Sequence, residues 1–229
     1  MRKAFMFVLS VVVCLGSLSP AVAQIGATEA EKVSSATSVL TEIIGIPEGG
    51  IPDWLLKNSY GIAIFPSLLK AGFILGARYG TGIMVVRNDR NEWSNPVFFM
   101  LMGGGIGWQI GAQSSDIVLI FRTIRSLNTI TSGKFTLGAD ATVAAGPVGR
   151  HAEAGTDILL TAEIYSYSRS RGLFAGLSLE GASIQVDYDA NSSFYNMAGL
   201  LPTEIFANRD LPAPYVVADL RRVLDQYTK

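Results

Sequence analysis

Cysteine and histidine are almost missing from this chain, one of each in 229 residues. A structural zinc site draws on about four Cys or His ligands, so none can be built. An intramolecular disulfide needs two cysteines, which excludes a disulfide framework. Charge is scarce too, at 16% against roughly 25% in an average soluble domain. The net charge of −1 offers no basic field to hold nucleic acid. What the chain has instead is apolar residues, 49% of the total, and 24 glycines. That is ample for a core and far from the composition of a disordered chain. The length suits one domain.

The first 23 residues stand apart. Arg2 and Lys3 precede an apolar run, Pro20 breaks it, and Ala21-Val22-Ala23 closes it with small residues. This layout predicts a secretory signal peptide over 1–23, removed after Ala23. A membrane anchor is the alternative, but the run is short of the about 20 residues a span needs. Cys14 is a weak lipidation site, because Val13 stands where a small residue is wanted. The mature chain, 24–229, would lose Arg2 and Lys3, so 18 basic residues fall to 16 against 19 acidic ones. It would hold no thiol, which suits an oxidising compartment, periplasmic or secreted, with membrane association open.

Thr28 and Glu31 have the spacing of a capping box, and Val33, Ala36, Leu40, Ile43 and Ile44 then recur at helical spacing. This predicts a helix over about 28–45, followed by a helical turn at 53–57. From Tyr60 the pattern turns to strands. Gly61 to Phe65 is an apolar run closed by Pro66, and 72–79 and 82–87 read as a hairpin about Gly80-Thr81. Further strands are expected at 96–102, 106–113 and 117–121, and a short helix at 122–131. Residues 134–145 alternate with period two, which predicts one strand with a buried face. Long strands are expected at 156–168 and 173–188, then a helical turn at 202–208 and a final helix opened by Pro214. The sum is an α+β fold. A strongly curved or partly closed antiparallel sheet of about eight strands is covered by N- and C-terminal helices. A β-barrel of the outer-membrane type is a further possibility from strand length. The helix at the C-terminus and the acidic residues among the strands speak against it.

No enzyme motif survives inspection. Ser178 lies in a near match to a nucleophile elbow, but the second glycine comes one residue late and the serine sits in an alternating stretch. His151 is the single imidazole. Gly103-Gly104-Gly105 is followed by strand-like alternation and not by a helix, so a phosphate loop is excluded. Asp140, Glu153, Asp157, Glu163, Glu180 and Asp187 are scattered, and nothing selects a catalytic pair. The reading is a non-enzymatic chain without a cofactor.

A family resemblance is carried by several stretches in order. They include Lys57-Asn58-Ser59-Tyr60-Gly61-Ile62-Ala63-Ile64-Phe65-Pro66, Gly103 to Gly107, and Ala144-Ala145-Gly146-Pro147. Tyr165-Ser166-Tyr167-Ser168 and 171–181 follow, then Asp189, Asn191, Phe194 and Tyr195. Over about residues 30–200 the chain resembles the SYLF domain family, a lipid-binding module of actin-patch and phosphoinositide-binding proteins. Bacterial members of that family are often exported stand-alone domains. The resemblance implies a lipid or anionic membrane surface as partner, with actin by family analogy only. The predicted N-terminal helix has one Lys, Lys32, against Glu29, Glu31 and Glu42. It therefore departs from a basic membrane-binding face, since each basic residue contributes only about 1 kcal/mol near an anionic surface.

The residues themselves nominate contacts. Leu40, Ile43 and Ile44 could face an apolar phase, and Trp54 and Leu55 follow a glycine hinge with Lys57 and Lys70 nearby. Arg169 and Arg171 could supply charge at an exposed strand turn. The same helix residues could equally cap the sheet. The expected function is an exported lipid- or membrane-surface-binding module of the cell envelope. The alternative is a structural or protein-interaction domain, with an envelope protein as partner.

Overall fold

The computed structural model describes residues 28–46, 50–72, 75–106, 111–131, 133–147, 161–170, 173–174 and 179–229. The predicted signal peptide and His151 lie outside them.

Helix α1 (Glu29–Ile44) begins at the expected capping box. The Glu31 amide donates to Thr28 Oγ1 at 3.3 Å, and the Thr28 amide donates to Glu31 Oε2 at 2.7 Å. Two of the four orphan amides of the first turn are thereby satisfied. The outward side is rich in hydroxyls, and Ser38 and Thr41 donate back to carbonyls one turn earlier. The inward side buries Val33, Ala36, Val39, Leu40 and Ile43. The expected turn at 53–57 is α2 (Asp53–Lys57).

The strands are β1 (Gly61–Gly72), β2 (Leu75–Val86), β3 (Val97–Ile106), β4 (Gly111–Phe121), β5 (Lys134–Thr136), β6 (Val143–Ala145), β7 (Ile164–Ser170), β8 (Leu173–Phe174) and β9 (Ser183–Val186). Eight run in one path, β5-β9-β3-β2-β1-β4-β7-β6, and β8 pairs with β7. The sheet is strongly curled into a half-barrel, with helices at both ends of the chain. It is mixed, not purely antiparallel, because β6 pairs with β7 in parallel. The middle strands are buried on both faces, as Ile62 to Phe65 and Ile117 to Phe121 show. This explains their continuous apolar runs. Between and after the strands come α3 (Ile124–Ile130), α4 (Tyr188–Tyr195), α5 (Pro202–Ala207) and α6 (Val216–Thr228). Helix α6 packs on α1 and α2, with Val217, Leu220 and Leu224 in the core.

Five sequence expectations need correction. The three strands expected at 96–102, 106–113 and 117–121 are two, β3 and β4. Pro66 does not end β1. The strand continues through a bulge between Phe65 and Leu68, with Ser67 at φ 54. A bulge tolerates a proline that has no N–H to give the ladder. Gly80-Thr81 is no hairpin turn, since β2 runs straight through it. Its glycines are there for close approach. A Cβ on Gly80 would stand 2.7 Å from Leu68 Cδ1, and one on Gly82 would stand 2.6 Å from Phe65 Cδ1. The alternating stretch 134–145 is two three-residue strands about a turn, where Gly138 has φ +85 and the Thr136 amide donates to Asp140 Oδ2. The strand expected to 188 is only β9 in its described C-terminal part. From Tyr188 the chain is helical, capped by the Asp187 carboxylate, which accepts from the Ala190 amide at 3.0 Å.

Candidate functional site

The proposed lipid-contact residues of α1 and α2 are mostly interior. Leu40, Ile43 and Leu55 have no exposed surface, and Ile44 and Trp54 are half-buried against the same core. The Trp54 ring lies under the Arg122 guanidinium, whose carbon is 5.7 Å from the ring centroid, and its indole nitrogen is buried. In this fold those side chains cover the sheet. Lys57 is exposed and Lys70 half-exposed. Arg171 lies outside the described residues.

Arg169 does not sit at an exposed turn. It lies within β7, its side chain is 21% exposed, and it pairs with Glu42 on α1 and with Asp116 on β4. The Arg169 Nη2 to Asp116 Oδ2 distance is 2.9 Å, and the other Asp116 oxygen accepts from the Ser67 amide at 3.0 Å. The hydrogen bond to Asp116, and then the one to Glu42, pushes the guanidinium pKa up. One arginine thus ties the helix, the sheet and the β1 bulge together. Glu42 contributes its charge to this pair while remaining half exposed.

Exposed large apolar side chains lie elsewhere on the described surface, Tyr215, Ile124, Leu69 and Tyr79 among them. Past the bulge, Leu69 on β1 and Tyr79 on β2 stand directly opposite each other, 55% and 50% exposed. Directly opposed residues share one face of a pair. Ala71 and Ala77 continue that face, while Lys70 and Arg78 oppose each other on the other one. Of these residues only Lys70 is expected from the sequence to meet a lipid; Leu69 and Tyr79 are not. Their signal was the alternation of Leu68, Leu69 and Lys70 after Pro66, which shows only once the bulge resets the faces.

Among the described residues that carried the family resemblance, Ser166, Tyr167, Asn191 and Tyr195 have structural roles. The Asn191 side chain accepts from the Phe98 amide at 2.9 Å and donates to the Phe98 and Asp187 carbonyls, so it seals α4 onto β3. Tyr195 Oη donates to the Pro96 carbonyl at 2.7 Å, and Tyr167 Oη to that of Pro147 at 3.1 Å. Ser166 Oγ donates to the Ala144 carbonyl, across the parallel β6–β7 pair. Such a network fixes a fold more than a chemistry.

That fold has known relatives. A family described as "Ysc84: Las17-binding protein actin regulator" matches residues 102–227, from within β3 to α6. The chain belongs to the Ysc84 family. This is the SYLF resemblance carried by the motifs. SH3 domain-containing YSC84-like protein 1 of Homo sapiens is 36% identical over 205 residues, 88% of this chain and 59% of the relative. An SH3 domain-containing protein of Schizosaccharomyces pombe is 39% identical over 178 residues, 76% of this chain and 41% of the relative. LAS seventeen-binding protein 3 of Saccharomyces cerevisiae is 38% identical over 178 residues, 76% of this chain and 38% of the relative. The chain therefore spans at most about three-fifths of the length of these Ysc84-family relatives. The family is described by binding and regulation, not by catalysis.

Proposed function

We propose that this Ysc84-family chain is a non-enzymatic, exported module that binds a lipid or membrane surface. The contact lies at the far end of the β1–β2 pair and not on α1. The observation that carries this is the opposed, half-exposed pair Leu69 and Tyr79. Tyr suits the membrane interface because its ring is apolar and its hydroxyl polar. Lys70 and Arg78, one residue away on the same strands, bring positive charge to that end of the sheet. The signal-like segment 1–23 supports export, and actin stays a partner by family analogy only. Co-sedimentation of 24–229 with vesicles of anionic and of neutral lipid tests the reading. A Leu69→Ser, Tyr79→Ser variant should lose binding while keeping its melting temperature. Equal sedimentation of the variant would remove this face from the proposal.

The second reading, a protein-interaction domain, is favoured by the family's description as a binding protein. Under it the same variant loses a protein partner, and vesicles of either composition fail to sediment the native chain.

A further inference from the structure

At the opposite end of the sheet lies an open cleft of about 640 Å³. Four elements converge on it: the residues after α2, the end of β2 with its turn, α3 and α5. Tyr60 lines it and directly precedes Gly61, so eight residues of β1 separate that end from Leu69. At about 3.3 Å per residue this is roughly 26 Å. Its volume falls in the range of small-molecule sites.

The polar groups of the cleft divide into committed and uncommitted. Arg87 Nη1 donates to the Lys57 carbonyl at 2.8 Å and Nη2 to that of Leu56 at 3.3 Å. Its guanidinium also lies 4.7 Å from the Trp93 ring centroid. Ser59 Oγ, Asn58 Nδ2 and Asn88 Oδ1 likewise serve the local backbone. Among the described residues, the side chains of Lys57, Asp89, Asn91, Asn128 and Thr203 make no hydrogen bond or ion pair. Val86, Leu127 and Phe206 are the partly or fully buried apolar lining, while Tyr60 and Ile124 stand 43% and 55% exposed beside them.

We propose that this cleft binds a neutral sugar of about disaccharide size. An anion is disfavoured, because Arg87 is held by carbonyls and by Trp93, and the cleft that Lys57 lines also carries the Asp89 carboxylate. A purely apolar ligand is disfavoured as well. It would strip water from the uncommitted amides and hydroxyls and leave them unpaired. A sugar satisfies both kinds of surface. Its hydroxyls exchange hydrogen bonds with the Asn91 and Asn128 amides and the Thr203 hydroxyl, and its C–H face lies on Tyr60 and Ile124. The site is independent of the membrane reading, and its distance from Leu69 and Tyr79 lets both be occupied together.

The test is an NMR titration of 24–229 with maltose, cellobiose and N,N′-diacetylchitobiose. At least one sugar should give saturable shifts confined to the cleft, including the side-chain amides of Asn91 and Asn128. Tyr60→Ala and Asn128→Ala should each weaken it about tenfold or more, while shifts elsewhere in the spectrum stay put. Both side chains are exposed, so neither change should unfold the chain. If Tyr60→Ala does unfold, Asn128→Ala decides alone. The Leu69→Ser, Tyr79→Ser variant should keep full sugar binding whatever its vesicle binding. Absence of saturable shifts with all three sugars, or undiminished shifts in Asn128→Ala, overturns the proposal.

Discussion

A Cβ placed on Gly146 would collide with Cζ of the Tyr167 ring. The glycine follows β6 and the tyrosine lies in the middle of β7, the parallel neighbour. The missing side chain is what lets the ring approach the chain here and donate its hydroxyl to the Pro147 carbonyl. Two stretches of the family resemblance, Gly146-Pro147 and Tyr165 to Ser168, are therefore one contact. Gly146→Ala must push the ring off its site and should cost at least about 1–3 kcal/mol, as overpacking does. Urea unfolding measures it. A change below a few tenths would mean that the strand edge gives way freely and the contact is incidental.

Leu40 is fully enclosed and Ile44 half-enclosed against the core, so a Leu40→Ser, Ile44→Ser variant should lose stability before anything else. Removing a buried Leu costs about 2–5 kcal/mol through lost burial and the cavity left behind. The melting temperature should fall by many degrees. A variant that melts like the parent yet no longer sediments with vesicles would instead return α1 to the membrane.

Arg169 sits between Asp116 and Glu42, and the two carboxylates should not count equally. The Asp116 side chain is 18% exposed and also holds the Ser67 amide, while that of Glu42 is 52% exposed. Arg169→Ala and Asp116→Ala should each cost about 1–3 kcal/mol, somewhat less than breaking a fully buried pair. Glu42→Ala should cost under about 1 kcal/mol, as an exposed pair does. Thermal unfolding of the three variants gives the order. Were Arg169→Ala silent, the side chain would serve solubility alone.

How far these contacts could be read in advance depends on how local their causes are. The α1 cap needs only Thr28 and Glu31, and the α6 stripe needs only a period of 3.6, so both were legible. An apolar stripe does not say what covers it, and Leu40 looks the same facing a sheet or a lipid. The strand interruptions were misread because their causes are distant in sequence. Gly80 and Gly82 look like turn residues and in fact admit Leu68 and Phe65 from the neighbouring strand. Arg169 looks like a charge at a hairpin tip until Asp116 and Glu42, far apart in the chain, are brought to it. Leu69 and Tyr79 were hidden by the bulge at Ser67, which shifts the face parity of everything after it.

Tyr167 and Tyr195 make the protein sensitive to alkali. Burial pushes both hydroxyls well above the ordinary value of 10.0, with Arg221 opposing this only in part at Tyr195. In the unfolded chain these phenols ionise near pH 10, while the folded chain keeps their protons beyond it. Above pH 10 the folded state therefore binds more protons than the unfolded one, and stability must fall as pH rises. Below pH 10 the contribution is fully present. Each such group steepens the loss by up to about 1.4 kcal/mol per pH unit. The melting temperature should hold level from about pH 7 to 9 and decline beyond about 10. Tyr195→Phe removes the donor to Pro96, so it should melt lower at neutral pH, by roughly 1–3 kcal/mol of stability. Its curve should nevertheless fall less steeply above pH 10, because one of the two protons at stake is gone. Parent and variant differ only in this hydroxyl, so the difference between the two slopes isolates the phenol. Parallel curves from pH 9 to 11 would show that the Tyr195 hydroxyl ionises in the folded protein as readily as in water, which its burial does not allow.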